Sequence, residues 1–240
     1  MLSDRAKAMQ RVCFGTEPSE ADLAFLGSRE RWLVYRDLVR SRLMHVASVA
    51  LRRTKSAVGD DTFGRTVDEW LGAGGPRTRY LRHVPNELAE LAISVWRATE
   101  PPWVADLARY EIATWEVRHA PPDPKSFDDL AFDRKPTVRS AMRVLRLSHP
   151  VHETPTPETG YDREQTLLCV YRDQAHQAAT RKLNPLAADL LEAWQKADET
   201  IAESVERIAA QHHTEIGPAF VEKLSALIAE FVLGAHGPSR

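Results

Sequence analysis

The sequence predicts a mainly α-helical chain with a small α+β part, in which an N-terminal helical bundle precedes a C-terminal winged-helix-like domain. Three observations predict this fold. Residues 1–120 repeat apolar side chains at helical spacing, residues 121–137 form a linker rich in proline and charge, and residues 138–236 place short aliphatic runs ahead of three helical segments. The chain has 240 residues, which is enough for two domains that each bury a core.

The N-terminal helices are indicated by apolar stripes and by the residues at their ends. The longest begins behind Ser28, a residue typical of an N-cap, and repeats apolar residues every three or four positions as far as Ala50. A second runs from Asp60 to Leu71 and is expected to stop at Gly72, because glycine readily adopts the left-handed turn that ends helices. Two more follow, each with proline in or ahead of its first turn.

In the C-terminal part of the sequence, the spacing of apolar residues changes from that of helices to that of strands. VRSAMRVLRLSHPV and QTLLCVYR are short runs of β-branched and aliphatic residues, and they predict a strand and a hairpin. Three helices follow: the first has an N-cap and a proline at Asn184–Pro185, the second has a capping box at Thr200–Glu203, and the third opens at Pro218. Strands followed by three helices are typical of a winged-helix-like domain.

Charge and composition exclude several classes of protein. Lys and Arg total 32 against 34 Asp and Glu, and the formal charge of −2 provides no overall attraction to nucleic acid or anionic lipid. No apolar run approaches the ~18 residues of a membrane-spanning helix, and the first residues lack the apolar core of a secretory signal, so we expect a cytoplasmic protein. Cys13 and Cys169 are far apart in apolar stretches and are expected to be buried apolar residues.

Motifs that carry catalysis do not emerge from the sequence. The glycines of Gly72–Gly75 follow a helix rather than a strand, which does not fit a nucleotide-binding loop. His149 and His152 lie beside Pro150 without further residues at metal-ligand spacing, so they are interpreted as loop residues. No GxSxG, HExxH or Walker sequence is present. We therefore expect no catalytic residue, no metal site and no cofactor in this chain.

One carboxylate is predicted to face the interior of the bundle. Glu111 shares a helical face with Leu107, Ala108 and Trp115, where an unpaired charge would cost several kcal/mol. Arg36 on the long helix is the expected partner, in a structural ion pair. The alternative is a functional carboxylate in a binding groove, although no second acid accompanies it.

The C-terminal domain is suited to a peptide better than to DNA. A recognition helix needs several basic or amide side chains, whereas Thr200–Gln211 has Arg207 as its one Arg or Lys. An extended peptide needs an exposed sheet edge beside an apolar groove. The short, polar strand predicted at Gln177–Leu183 is typical of an edge, and the apolar residues of the last helix cover more than one stripe, unless both rows are simply buried. The candidate peptide-binding residues are Ala178, Thr180, Arg181, Lys182, Phe220, Leu224 and Ile228.

Both halves of the chain have segments that resemble one protein family. In the first half, ERWLVYRDLVRSRL, AVGDDTF and PPWVADLARYEIATWEVRHA resemble the N-terminal helical domain of the HvfC/BufC proteins, long catalogued as DNA-binding. The second half resembles their second domain, itself similar to the PqqD-like peptide-recognition element, in RVLRLSHPVHE, LLCVYRD, RKLNPLAADLLEAW and TIAESVERIAAQH. The resemblance covers about residues 1 to 235, and the family motifs fall on Tyr35, Arg36, Gly59, Phe63, Asp106, Leu107, Ala108, Glu111, Asn184 and Pro185.

The resemblance implies a non-catalytic partner subunit in the biosynthesis of a ribosomally made natural product. Members of the family, with the methanobactin protein MbnC, hold the leader of a precursor peptide while a multinuclear non-haem iron oxidase modifies cysteines of that peptide. The implied partners are therefore the oxidase, in a heterodimer, and the precursor peptide, with iron in the oxidase and no cofactor in this chain. The alternative function is that of a winged-helix DNA-binding transcriptional regulator.

Overall fold

The computed structural model describes residues 3–123, 131–156, 160–173 and 175–236. The chain divides into two compact units, Met1–Ile112 and Ala113–Arg240. The predicted fold class is confirmed: the chain is mainly α-helical with a small α+β part.

The N-terminal unit is a bundle of helices. In chain order they are α1 (Asp4–Phe14), α2 (Glu20–Leu26), α3 (Arg29–Ala50), α4 (Arg52–Val58), α5 (Asp60–Gly72), a 3₁₀ helix (Leu81–His83), α6 (Val84–Thr99) and α7 (Pro102–His119), whose last turns belong to the second unit. Apolar faces of α3, α5, α6 and α7 share one core, in which the rings of Phe63 and Trp96 stack with their centroids 6.0 Å apart. Tertiary packing of this kind stabilises helices that would be marginal alone.

Two helix ends differ in detail from the prediction. Ser28 precedes α3 as predicted, but it has a left-handed backbone (φ 49°) and its side chain makes no capping hydrogen bond. Helix α5 ends at Gly72, while the left-handed residue is Gly74 (φ 97°). A Cβ atom on Gly75 would overlap the indole of Trp70. These glycines therefore serve a close turn against the core.

The C-terminal unit contains the sheets. Its elements are β1 (Lys135–Val138), β2 (Met142–Leu147), β3 (Thr166–Arg172), β4 (Ala178–Lys182), α8 (Pro185–Lys196), α9 (Ile201–Gln211), α10 (Pro218–Phe231) and β5 (Val232–His236). Strands β2, β3 and β4 form an antiparallel sheet in that order, so β4 is an edge strand, and helices α8 to α10 follow it. The predicted order of strands before three helices is confirmed.

The caps of α8 and α9 are those expected from the sequence. Asn184 accepts a hydrogen bond from the backbone N–H of Ala187 (2.8 Å) at the start of α8. Thr200 and Glu203 form the full capping box at the start of α9. The Nε1–H of Trp194 reaches Ser204 Oγ (2.9 Å) between these two helices, inside the core. The caps and this buried bond fix where the two helices begin and how they meet.

A second, two-stranded sheet lies outside the predicted pattern. Strand β1 occupies residues 135–138, of which 135–137 lie in the segment predicted as linker, and it pairs antiparallel with β5, which follows α10. Its partner is nearly a hundred residues away in the chain, so no local turn indicates the pairing. Residues 124–130 of the predicted linker lie outside the described residues. Cys13 and Cys169 are free and buried, as predicted.

Candidate functional site

A groove of about 750 Å³ lies between the edge of the three-stranded sheet and helix α10. Arg181 and Lys182 of β4 line one side, and Phe220, Lys223 and Leu224 of α10 line the other. Apolar residues from the end of β4, from α8 and from α10 complete it, namely Leu183, Leu186, Leu190 and Leu227. The groove is therefore mainly apolar, with cationic side chains beside it.

The outer edge of β4 presents backbone groups beside this groove. In the ladder with β3, the Leu183 N–H donates to the Leu167 carbonyl (2.8 Å), and the Asp173 N–H donates to the Gln177 carbonyl (2.9 Å). Hydrogen-bonded and non-hydrogen-bonded pairs alternate along an antiparallel ladder. The N–H and C=O groups of even-numbered residues such as Lys182 therefore point away from β3. Within the described ranges, no strand pairs with this outer edge.

Four of the seven predicted peptide-binding residues line the groove. They are Arg181, Lys182, Phe220 and Leu224.

The other three lie elsewhere in the same unit. Ile228 is 5% exposed and belongs to the core, because α10 turns that position towards the sheet. Ala178 and Thr180 lie on β4 but do not line the groove, which reaches this strand at Arg181 and Lys182.

Two basic side chains at the groove form ion pairs, whereas Lys223 forms none with the described residues. Arg181 pairs with Glu230 of α10, and Lys182 Nζ lies 2.9 Å from Glu164 Oε1, a contact that lowers the pKa of Glu164. Lys223 forms no ion pair with any carboxylate of the described residues. Lys223 is therefore available to form an ion pair with a carboxylate of a ligand in the groove.

Comparison with known proteins identifies the unit that contains the groove. Residues 140–232 match the family model of the HvfC C-terminal domain. This part of the chain is similar to the HvfC C-terminal domain and is called the HvfC domain below. The HvfC domain extends from β2 through α10 and thus includes both sides of the groove, and it indicates a partner-subunit role, as the sequence resemblance implied. No curated protein matches the chain.

A partly buried polar cluster links helices of the HvfC domain beside the groove, and His212 of this cluster also lines the groove. His212 Nε2 lies 2.6 Å from Asp189 Oδ2, and Arg146 binds the same carboxylate. Burial alone would raise the pKa of Asp189, but the hydrogen bonds from His212 and Arg146 more than offset burial and hold that pKa below its ordinary value. His212 therefore ties the end of α9 to α8.

The predicted ion pair between Arg36 and Glu111, outside the HvfC domain, is wrong. The Glu111 carboxylate accepts hydrogen bonds from the Arg53 N–H (2.8 Å), the Thr54 N–H (2.8 Å) and the Thr54 hydroxyl (2.7 Å). Arg36 donates instead to backbone carbonyls in the last turn of α1 and just after it, including that of Gly15 (2.8 Å). Backbone groups at helix ends lack partners within their own helix, so they compete for buried charges as strongly as an opposite charge does.

Across the described part of the chain, no three His, Cys, Asp or Glu side chains come together as a group able to hold a metal ion. In the same part, no helix combines the length and the apolar character needed to cross a membrane.

Proposed function

We propose that this protein is a partner subunit whose HvfC domain binds the leader of a ribosomally made precursor peptide and presents it to a multinuclear iron oxidase. The observation that carries the proposal is the position of the outer edge of β4 directly beside the apolar groove. A sheet edge and an adjacent groove are the two elements of recognition by strand addition. In this proposal the oxidase performs the chemistry with its own iron, and this chain supplies binding.

The proposed binding mode assigns separate tasks to backbone and side chains. Outward N–H and C=O groups of β4, such as those of Lys182, pair with the leader as with a further strand. Alternate leader side chains then enter the groove between β4 and α10, where Phe220 and Leu224 provide apolar contacts. The backbone pairing supplies affinity with little dependence on sequence, and the groove supplies selectivity.

The charges on the recognition helices support a peptide ligand over DNA. On α9, the helix that would enter a DNA groove, the guanidinium of Arg207 is held by Glu199, with Nε 3.1 Å from the carboxylate. Phosphates would therefore meet a neutralised arginine and the exposed Glu206.

The affinity of a fluorescent leader peptide tests the groove directly. We expect Phe220→Ala to weaken binding by about tenfold or more, because it removes an apolar anchor. Val221→Ala is the matched control, since Val221 is 49% exposed on the same helix and does not line the groove. Fluorescence anisotropy with the leader of the precursor peptide encoded beside this chain gives both affinities.

The strand pairing has its own test. Two leader peptides are compared, one N-methylated at its odd-numbered residues and one at its even-numbered residues. In a paired strand, one of them loses only the N–H groups that face β4, and the other loses only those that face away. We expect one methylation parity to abolish binding and the other to retain it. Equal binding by both peptides, or equal effects of F220A and V221A, would contradict the binding mode.

The partner role is tested by peptide modification. Oxidase turnover that is unchanged when this subunit is omitted would overturn the proposal. Salt-dependent retardation of duplex DNA, with no affinity for the leader, would instead favour a regulator.

A further inference from the structure

Helix α3 carries an exposed face that the N-terminal core does not use. We define the α3 docking face as Arg31, Val34, Leu38, Arg42, His45 and Val49. The apolar members are 60% (Val34), 64% (Leu38) and 54% (Val49) exposed, although aliphatic side chains of the core on the same helix are buried. Spacings of three and four place all six on one side of the helix, over a length of about 27 Å. A solvated apolar stripe of this length is typical of an interaction surface.

The charges of the α3 docking face are all of one sign. It has two arginines and no carboxylate. Arginines on other sides of the helix are paired within the protein, Arg29 with Glu20 (3.0 Å) and Arg40 with Asp68. Among the described residues, Arg31 and Arg42 form no ion pair. The chain thus neutralises the arginines beside the face and leaves those on it available.

We infer that the α3 docking face binds the partner oxidase, at a surface of the oxidase where apolar side chains are flanked by carboxylates. This inference rests on the proposed function, because it takes the oxidase as the occupant. Opposite charge on the oxidase would complement Arg31 and Arg42, and apolar contact would cover Leu38 between them.

Other occupants fit this face less well. A second copy in a two-fold dimer would meet the same patch, so two surfaces of like positive charge would be brought together without a carboxylate between them. A nucleic acid would set phosphates against Val34 and Leu38 at the centre of the face, where they gain nothing.

Co-purification with the iron oxidase encoded beside this chain tests the inference. We expect Leu38→Glu to weaken the complex by at least about tenfold, since it places a like charge against carboxylates and removes apolar contact. Leu81→Glu is the matched control, because Leu81 is 41% exposed in the same unit and lies outside the face. Circular dichroism establishes that both variants are folded, and leader binding by the HvfC domain should be unchanged in both.

Salt dependence gives an independent readout of the charges. We expect the wild-type complex to weaken with ionic strength and the Arg31→Gln/Arg42→Gln variant to weaken less steeply. Equal salt dependence would contradict the assigned role of the two arginines.

The outcomes separate this inference from the proposed function. If the wild-type protein fails to bind the oxidase, the proposed function fails and the inference fails with it. If the wild-type protein and L38E bind equally, only the docking face is wrong. The wild-type protein could instead self-associate in sedimentation or bind anionic vesicles. If L38E loses either property but still binds the oxidase, the face belongs to another occupant and the inference is overturned.

Discussion

The buried charges of Arg36 and Glu111 in the N-terminal unit bind backbone groups rather than each other. The sequence correctly placed Glu111 towards the interior, where it is 9% exposed, because its helical face is otherwise apolar. It did not indicate the partner, since any buried N–H group can satisfy a carboxylate and main-chain donors have no signature in the sequence. The two N–H groups of Arg53 and Thr54 at the first turn of α4 are such donors. Residue-level prediction thus identified the buried charge and missed its contacts.

Glu111 is expected to stabilise the N-terminal unit through these bonds. Glu111→Ala leaves the two backbone donors unsatisfied, and we expect the free energy of unfolding to fall by about 2 to 3 kcal/mol. Glu111→Gln should lose less, because it keeps one acceptor oxygen. Urea denaturation measures both variants.

The control is Glu30→Ala, an exposed carboxylate on α3 that should change stability by less than about 0.5 kcal/mol. A loss for E111A no larger than that for E30A would contradict the capping role of Glu111.

At the level of elements, local signals predicted the helices better than the strands. The caps at Asn184 and Thr200 identified the starts of α8 and α9, because a cap is a contact within one turn of chain. The β1–β5 pairing joins distant segments and has no such local signal. Part of the groove was missed for a related reason: residues from the end of β4 to the first turn of α8, such as Leu183 and Leu186, become a wall only when α10 packs opposite them.

The capping box of α9 makes a prediction about pH. Hydrogen bonds from the Thr200 backbone N–H and hydroxyl lower the pKa of Glu203. A carboxyl with a depressed folded-state pKa stabilises the protein above its unfolded pKa and loses that contribution as pH falls through the folded value. We therefore expect the urea midpoint of the wild type to fall more steeply than that of Glu203→Gln below about pH 4. Gln retains an acceptor oxygen without titrating.

Glu206→Gln is the control for this pH series, because Glu206 is exposed on the same helix. E206Q should follow the wild type. If E203Q follows the wild type as well, the capping box does not govern the acid response.

At the scale of the whole molecule, the two units have separate hydrophobic cores. One is centred on Phe63 and Trp96, and the other on Trp194 and Phe231. The sequence predicted two domains because the helical periodicity of residues 1–120 is followed, from residue 138, by short aliphatic runs typical of strands. The family resemblance then supplied what pattern alone could not, since a fold class by itself does not specify a ligand.

Separate cores predict separate unfolding transitions. We expect calorimetry to resolve two, with Glu111→Ala lowering the midpoint of one and Leu191→Ala lowering that of the other. Leu191 is fully buried in the C-terminal core, where truncation costs about 2 to 5 kcal/mol. A single transition shifted equally by both variants would contradict this expectation.

Only alternate residues of β4 direct their backbone N–H and C=O groups outwards, and this has a consequence for any chain that pairs with that edge. Side chains of an added strand alternate between groove and solvent, so deleting one residue of the ligand turns every later anchor outwards, whereas deleting two restores the alternation. Ligands of such a domain would then tolerate length changes between their anchors in even steps and be rejected at odd ones.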